Sequence, residues 1–185
     1  MKKLIKTIML IGLLAGLGTS VFAEALDNKN AIGMYVIGSE RPVGGIQYER
    51  RFTDIFSTKF GTYALIRNRD YYSGTPIEFN FTLEPDFSLY ETSWNDKVSS
   101  RLFAFGLVGY DFAQNVNSVY DEVADKYVDK DTTYTHSLIA GAGFGFEFIF
   151  FDHLSVPLQF GFTGTLNTED PFLGFGAGIS IRYSW

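Results

Sequence analysis

The sequence predicts an all-β protein, an eight-stranded antiparallel up-and-down transmembrane β-barrel, and three observations carry that prediction. The last thirteen residues alternate without a slip. Leu173, Phe175, Ala177, Ile179, Ile181, Tyr183 and Trp185 fall on one parity, and Gly174, Gly176, Gly178, Ser180, Arg182 and Ser184 on the other. A period of two is that of a β-strand, here with one apolar face and one small or polar face. After the first 23 residues no apolar run reaches the roughly 20 residues of a spanning helix. Aromatic residues nevertheless make up 17% of the chain and glycine occurs 19 times, a mixture suited to strands with bulky groups toward lipid and small ones in a crowded interior.

The opening residues read as an export signal. Lys2, Lys3 and Lys6 form a basic start, Ile8 to Leu17 an apolar stretch, and Ser20-Val21-Phe22-Ala23 a small-residue cleavage site. Cleavage after Ala23 leaves residues 24–185 as one barrel domain with 12 basic against 21 acidic residues, since three of the 15 basic residues lie in the signal. That acidity argues against nucleic acid as a partner. The absence of cysteine excludes a disulfide framework and a lipidated cysteine at the cleavage point.

Parity counting predicts eight strands in order. The first spans Asn30 to Gly38 and the second Gly44 to Phe52, with Ile46, Tyr48, Arg50 and Phe52 against Gly45, Gln47, Glu49 and Arg51. The third spans Ser57 to Arg67. The fourth, Ile77 to Leu89, carries Phe79, Phe81, Leu83 and Phe87 against Glu78, Asn80, Thr82, Glu84, Asp86 and Ser88. Pro85 cannot donate to a ladder, so a bulge or a membrane exit is expected there. In the fifth, Arg101 to Phe112, both parities are apolar, which predicts a bulge that flips the register midway. The sixth spans His136 to Phe150, the seventh Leu154 to Leu166 and the eighth Leu173 to Trp185. Periplasmic turns are expected at Thr53-Asp54-Ile55, around Trp94 to Lys97, and at Phe151-Asp152-His153. Outer loops are expected at Ser39 to Val43, Asn68 to Pro76, Ala113 to Tyr134 and Asn167 to Phe172.

Two hairpins repeat a pattern, IQYERRFTDIFSTKFGTY around Asp54 and GFEFIFFDHLSVPLQFGF around Asp152. The shared elements are an aromatic-Glu strand, an Asp-centred turn and a return strand with serine near its start. The pattern resembles small outer-membrane barrels of the OmpA transmembrane-domain, OmpX and OmpW kind. The end of the chain also resembles the signal read by the outer-membrane barrel-assembly machinery, with Tyr183 and Trp185 at its two apolar positions and Ser180 where glycine is usual. The resemblance implies an outer-membrane location with loops at the cell surface, surrounding lipid as a partner, and assembly machinery and periplasmic chaperones during biogenesis.

In such a barrel the lumen side collects Glu49, Arg51, Lys59, Arg67, Glu78, Glu84, Glu147 and Arg182. Eight strands leave an interior just wide enough for side chains, and buried charges must be paired. The expectation is therefore a salt-bridged plug with a structural role. Alternatives are a narrow channel for small solutes or small hydrophobic compounds, and an adhesin acting through its loops. The rival architecture is a soluble lipocalin-like barrel with the apolar parity inward. The acidic outer loop, with Asp121, Glu122, Asp125, Asp129 and Asp131 against Lys126 and Lys130, reads as a solvated surface, any ligand unspecified. It lacks the glycine turn of a calcium loop. No metal or cofactor is expected, and no enzymatic activity. His136 and Ser137 are neighbours that a strand points to opposite faces, and neither GxSxG nor HExxH occurs.

Overall fold

The structure, a computed structural model, describes residues 28–38, 43–66, 77–95, 97–166 and 172–185. The expected export signal, Arg67 and most of the outer connections (39–42, 68–76 and 167–171) lie outside the described residues. Eight strands follow one another: β1 (Asn30–Gly38), β2 (Val43–Arg51), β3 (Phe56–Ile66), β4 (Ile77–Asn95), β5 (Val98–Asp121), β6 (Lys126–Phe150), β7 (Leu154–Leu166) and β8 (Phe172–Ser184). Each pairs antiparallel with its successor, and β8 returns to β1 through rungs such as Gly33↔Arg182. The ring of hydrogen bonds is closed.

Which parity points inward separates the two architectures that alternation alone leaves open. Phe144, Phe160 and Phe175 on the outside are 59%, 45% and 62% exposed, whereas Glu49, Lys59, Glu147 and Arg182 are buried inside. A soluble barrel would carry the opposite distribution, so the lipocalin-like alternative is excluded. Aromatic rings gather at both ends of the outer surface. Phe52, Phe56 and Phe87 lie ring against ring at the end where β1 begins and β8 ends, and Phe79, Phe112, Tyr134 and His136 at the other. Such paired girdles mark the two interfaces of a bilayer.

Between β6 and β7 the chain reverses over Phe151-Asp152-His153. His153 N donates to Phe150 O at 3.2 Å, and Phe151 and Asp152 take left-handed φ values of 54° and 62°.

Four expectations are corrected. No register flip occurs between Arg101 and Phe112: Arg101, Phe103, Phe105 and Leu107 all point inward and are buried. Both parities are apolar because the lumen itself receives three apolar side chains. The slip lies in β4, where Leu89 is inserted between the rungs Ser88↔Phe103 and Tyr90↔Leu102. Leu89 and Tyr90 both face outward, and Glu91 is turned inward. Pro85 makes no bulge; its rung to Thr58 of β3 is kept, and the register to β5 is the same on either side of it. Its missing N–H accounts for a gap in that ladder.

Strand β4 continues to Asn95 through a second slip between Ser93 and Asn95, so Trp94 belongs to the strand and the rung Asn95↔Val98 closes the hairpin. The fourth correction concerns the acidic outer loop. Ala113 to Tyr134 is not a loop but paired strand on both sides of a turn over Glu122 to Asp125. The segment is dense in β-branched and aromatic residues, which favour extended chain.

Candidate functional site

Toward the end of the barrel where β1 begins and β8 ends, six strands contribute charged side chains to one belt inside the lumen. Glu49 and Arg51 come from β2, Lys59 from β3, Glu84 and Asp86 from β4, Arg101 from β5, Glu147 from β6 and Arg182 from β8. Alternation places each on the inner face, with Phe52, Phe60, Phe87, Phe146 and Ile181 among the neighbours in sequence that face outward.

Within the belt Lys59 Nζ lies 2.6 Å from both Glu84 and Asp86. Arg101 reaches Glu147 at 2.8 Å, Glu49 at 3.3 Å and Asp86 at 3.4 Å. Arg182 reaches Glu49 at 2.5 Å and also pairs with Glu147. Arg51 completes the set at 3.5 Å from Glu49 and 3.3 Å from Glu147. Four acids thus meet four bases. Isolated, any one of them would be very costly at such burial; together they are mutually compensated. Gln159 of β7 donates to Glu84, and Arg182 Nε to the Ser155 hydroxyl at 3.3 Å.

An apolar layer sits against this belt. The Phe103 ring lies 4.4 Å from Lys59 Nζ and 4.9 Å from the Arg101 guanidinium carbon, in the range of cation–π attraction. The ring occupies the space that a side chain at Gly145 would need, and Phe105 lies likewise against Gly143. The glycines of β6 therefore make room for the aromatics of β5. The cavity left beside this layer, lined by Ile37, Glu84, Phe105, Leu107 and Gln159 among others, has a volume of about 10 Å³, room for about one water molecule.

Six of the eight charges that parity placed in the lumen meet in the belt: Glu49, Arg51, Lys59, Glu84, Glu147 and Arg182. Glu78 does not; it lies farther along β4, where the Tyr63 hydroxyl is 3.3 Å from both Glu78 and Asp111. Arg67 is outside the described residues. Sequence reasoning missed Asp86 and Arg101. Asp86 shares the parity of Glu84 and was available on that ground, whereas the expected flip in the fifth strand hid the inward direction of Arg101.

No protein-family model matches the chain, and no curated protein matches it in sequence. Among solved structures it is similar to the N-terminal β-barrel domain of OprF from Pseudomonas aeruginosa, with a TM-score of 0.57 and 12% identity, over 85% of this chain and 98% of that one. The fold is that of an outer-membrane barrel. A second similar structure is Ail, the attachment invasion locus protein of Yersinia pestis, with a TM-score of 0.40 and 12% identity over 84% and 95% of the two chains.

At the closing seam of this outer-membrane barrel fold, Tyr183 and Trp185 face outward and their rings stack at 6.4 Å, and the His153 ring stacks on Tyr183 at 5.5 Å. Trp185 N donates to Asn30 O at 2.9 Å and Asn30 N to Trp185 O at 3.2 Å. The acidic residues of the β5–β6 hairpin are spread along it rather than clustered. Asp121 accepts from the Val123 and Ala124 amides at 2.9 and 3.1 Å, and Asp125 accepts from the Tyr120 hydroxyl. Glu122 is exposed in the turn; Asp129 and Asp131 lie on β6 opposite Ser118 and Asn117. Among the described residues no group of three or more potential ligands is placed to hold a metal ion. Ser137 is buried inside, while His136 faces outward with Nδ1 2.6 Å from the Tyr110 hydroxyl. They lie on opposite faces of β6.

Proposed function

We propose that this chain is a bacterial outer-membrane protein in which a closed barrel serves as a structural anchor and the β5–β6 hairpin serves surface interaction. One observation carries the reading: the lumen holds an ion-paired belt and an adjoining aromatic layer, and the cavity beside that layer has room for about one water. A conduit for solutes needs a continuous polar path, and the ion-paired belt with the Phe103 and Phe105 rings beside it stands in that path. Placing both termini on the periplasmic side, the usual arrangement of such barrels, sends the long hairpin to the cell surface. The first 23 residues then act as the export signal, the surrounding partner is outer-membrane lipid, and Tyr183 with Trp185 forms the mark read by the assembly machinery.

Single-channel recording in planar bilayers tests the anchor role. The refolded protein is expected to give no reproducible current steps. Steady conductance steps from a correctly folded sample would replace this reading with the narrow-channel one.

A further inference from the structure

The hairpin of β5 and β6 outruns its neighbours. The last rungs to β4 and β7 are Glu78↔Ala113 and Leu138↔Leu166, whereas β5 and β6 stay paired as far as Asp121↔Lys126. The eight steps from Ala113 to Asp121 carry the ribbon roughly 27 Å past the flanking strands at strand rise. Among the described residues no strand borders it on either side. A two-stranded ribbon standing in water is marginal unless its own side chains hold it.

Its tip is built to be held. A one-residue slip between Asn117 and Ser118 sets the tip apart from the lower ribbon. Beyond it Val119 stands opposite Val128 and Tyr120 opposite Tyr127, which puts an aliphatic pair on one face and an aromatic pair on the other. The two rings meet edge to face at 5.3 Å. Asp121 caps the turn amides, Tyr120 bonds to Asp125, and Asp125 takes a left-handed φ of 47° that an aspartate tolerates. All four paired side chains are nonetheless exposed, and Val123 at the apex is 99% exposed. From Gln114 to Thr135 the chain carries five acids against two lysines.

We propose that this tip docks an extended segment of a partner protein in which apolar and basic side chains alternate, taken up as a third strand. A ribbon edge that no described strand pairs offers main-chain groups for strand addition. An added strand sends alternate side chains to opposite faces. Apolar ones then extend the Val119/Val128 face, and basic ones lie beside the Tyr120 and Tyr127 rings, where cation–π attraction and the acidic surroundings favour them. The preformed turn lowers the ordering cost of binding. The net negative charge disfavours a second copy of the same tip as occupant. This proposal deepens the surface-interaction reading and rests on it.

The test uses the full-length barrel in nanodiscs of zwitterionic lipid and three labelled peptides followed by fluorescence anisotropy: an alternating Lys-Val octapeptide, its Glu-Val counterpart and a lysine homopolymer of equal charge. Binding of the Lys-Val peptide at least tenfold tighter than either other peptide is expected, with a loss of at least tenfold in a Val119→Ser/Tyr120→Ser/Val128→Ser variant. Unboiled gel migration checks that the variant barrel is folded. Equal binding of the lysine homopolymer, binding unchanged in the variant, or no binding overturns the proposal. Self-association of the peptide-free protein that the variant abolishes overturns it in favour of a second copy. Current recorded from the same preparations tests the closed barrel separately, so each reading fails by its own measurement.

Discussion

Lys59→Met isolates what the lumen belt contributes to stability. The ammonium is the only cation within 4 Å of Glu84 among the described residues and one of two near Asp86, with both carboxylates 2.6 Å away. Methionine keeps most of the side-chain volume, so the change is chiefly electrostatic. Among the described residues it strands Glu84 with only the Gln159 amide as a close polar partner, leaves Asp86 with Arg101 at 3.4 Å, and removes the contact to the Phe103 ring. Removing one partner of a buried ion pair costs about 3–5 kcal/mol, and two carboxylates are affected, so the upper part of that range is expected. Arg182→Met is expected to cost less, because Glu49 and Glu147 each keep Arg51 and Arg101 within 3.5 Å. Adding Glu84→Gln to Lys59→Met removes the stranded charge and should recover about 1–3 kcal/mol. The assay is urea unfolding of the lipid-reconstituted barrel, followed by tryptophan fluorescence and by gel migration without boiling. A Lys59→Met cost below about 1 kcal/mol, or strict additivity with Glu84→Gln, would refute the claim that the belt's pairing stabilises the barrel.

Gly145→Ala places a methyl where the Phe103 ring lies and should cost about 1–3 kcal/mol; combining it with Phe103→Leu should return part of that loss in the same urea titration. Phe144→Arg, on the outer surface between the aromatic girdles, should cost about 2–4 kcal/mol in lipid, measured as a lower folding yield into vesicles, while Val123→Arg at the hairpin apex leaves that yield unchanged. The Tyr120 phenol is held above its ordinary value by its hydrogen bond to Asp125. That contact therefore supports the tip at neutral pH and is lost as pH rises through the raised value. Absorbance titration of the protein against a Tyr120→Phe variant should show one phenol ionising late, and Asp125→Asn should abolish the delay.

Strand positions were legible wherever one parity was uniformly apolar. The whole of β7, and β8 to within one residue at each end, could be read from their side chains, because lipid outside and a narrow lumen inside impose opposite demands on successive residues. Legibility failed where the lumen itself is apolar. Phe103, Phe105 and Leu107 face inward because the glycines of β6 leave space across from them, a fact about the partner strand that β5 alone does not disclose. It failed again above the barrel, where Asn115, Asn117, Asp121 and the run Asp129-Lys130-Asp131 look like loop composition. The opposed Val119-Tyr120 and Tyr127-Val128 pairs were the available signal of a hairpin, and the bulge between them and the barrel masked the alternation. For the belt, parity identified six contributors. The partnership of residues 133 positions apart, Glu49 with Arg182, depends on closure of the ring.

That partnership ties chemical neutrality to completion of the chain. Arg182 stands three residues from the C-terminus and answers carboxylates on β2 and β6. A polypeptide still lacking its final strand holds an uneven complement, with four acids against three bases, in a space that disfavours any surplus. The electrostatic gain thus arrives together with the last seam, so a truncated or frameshifted product is handicapped twice, by an open edge and by an unanswered negative charge.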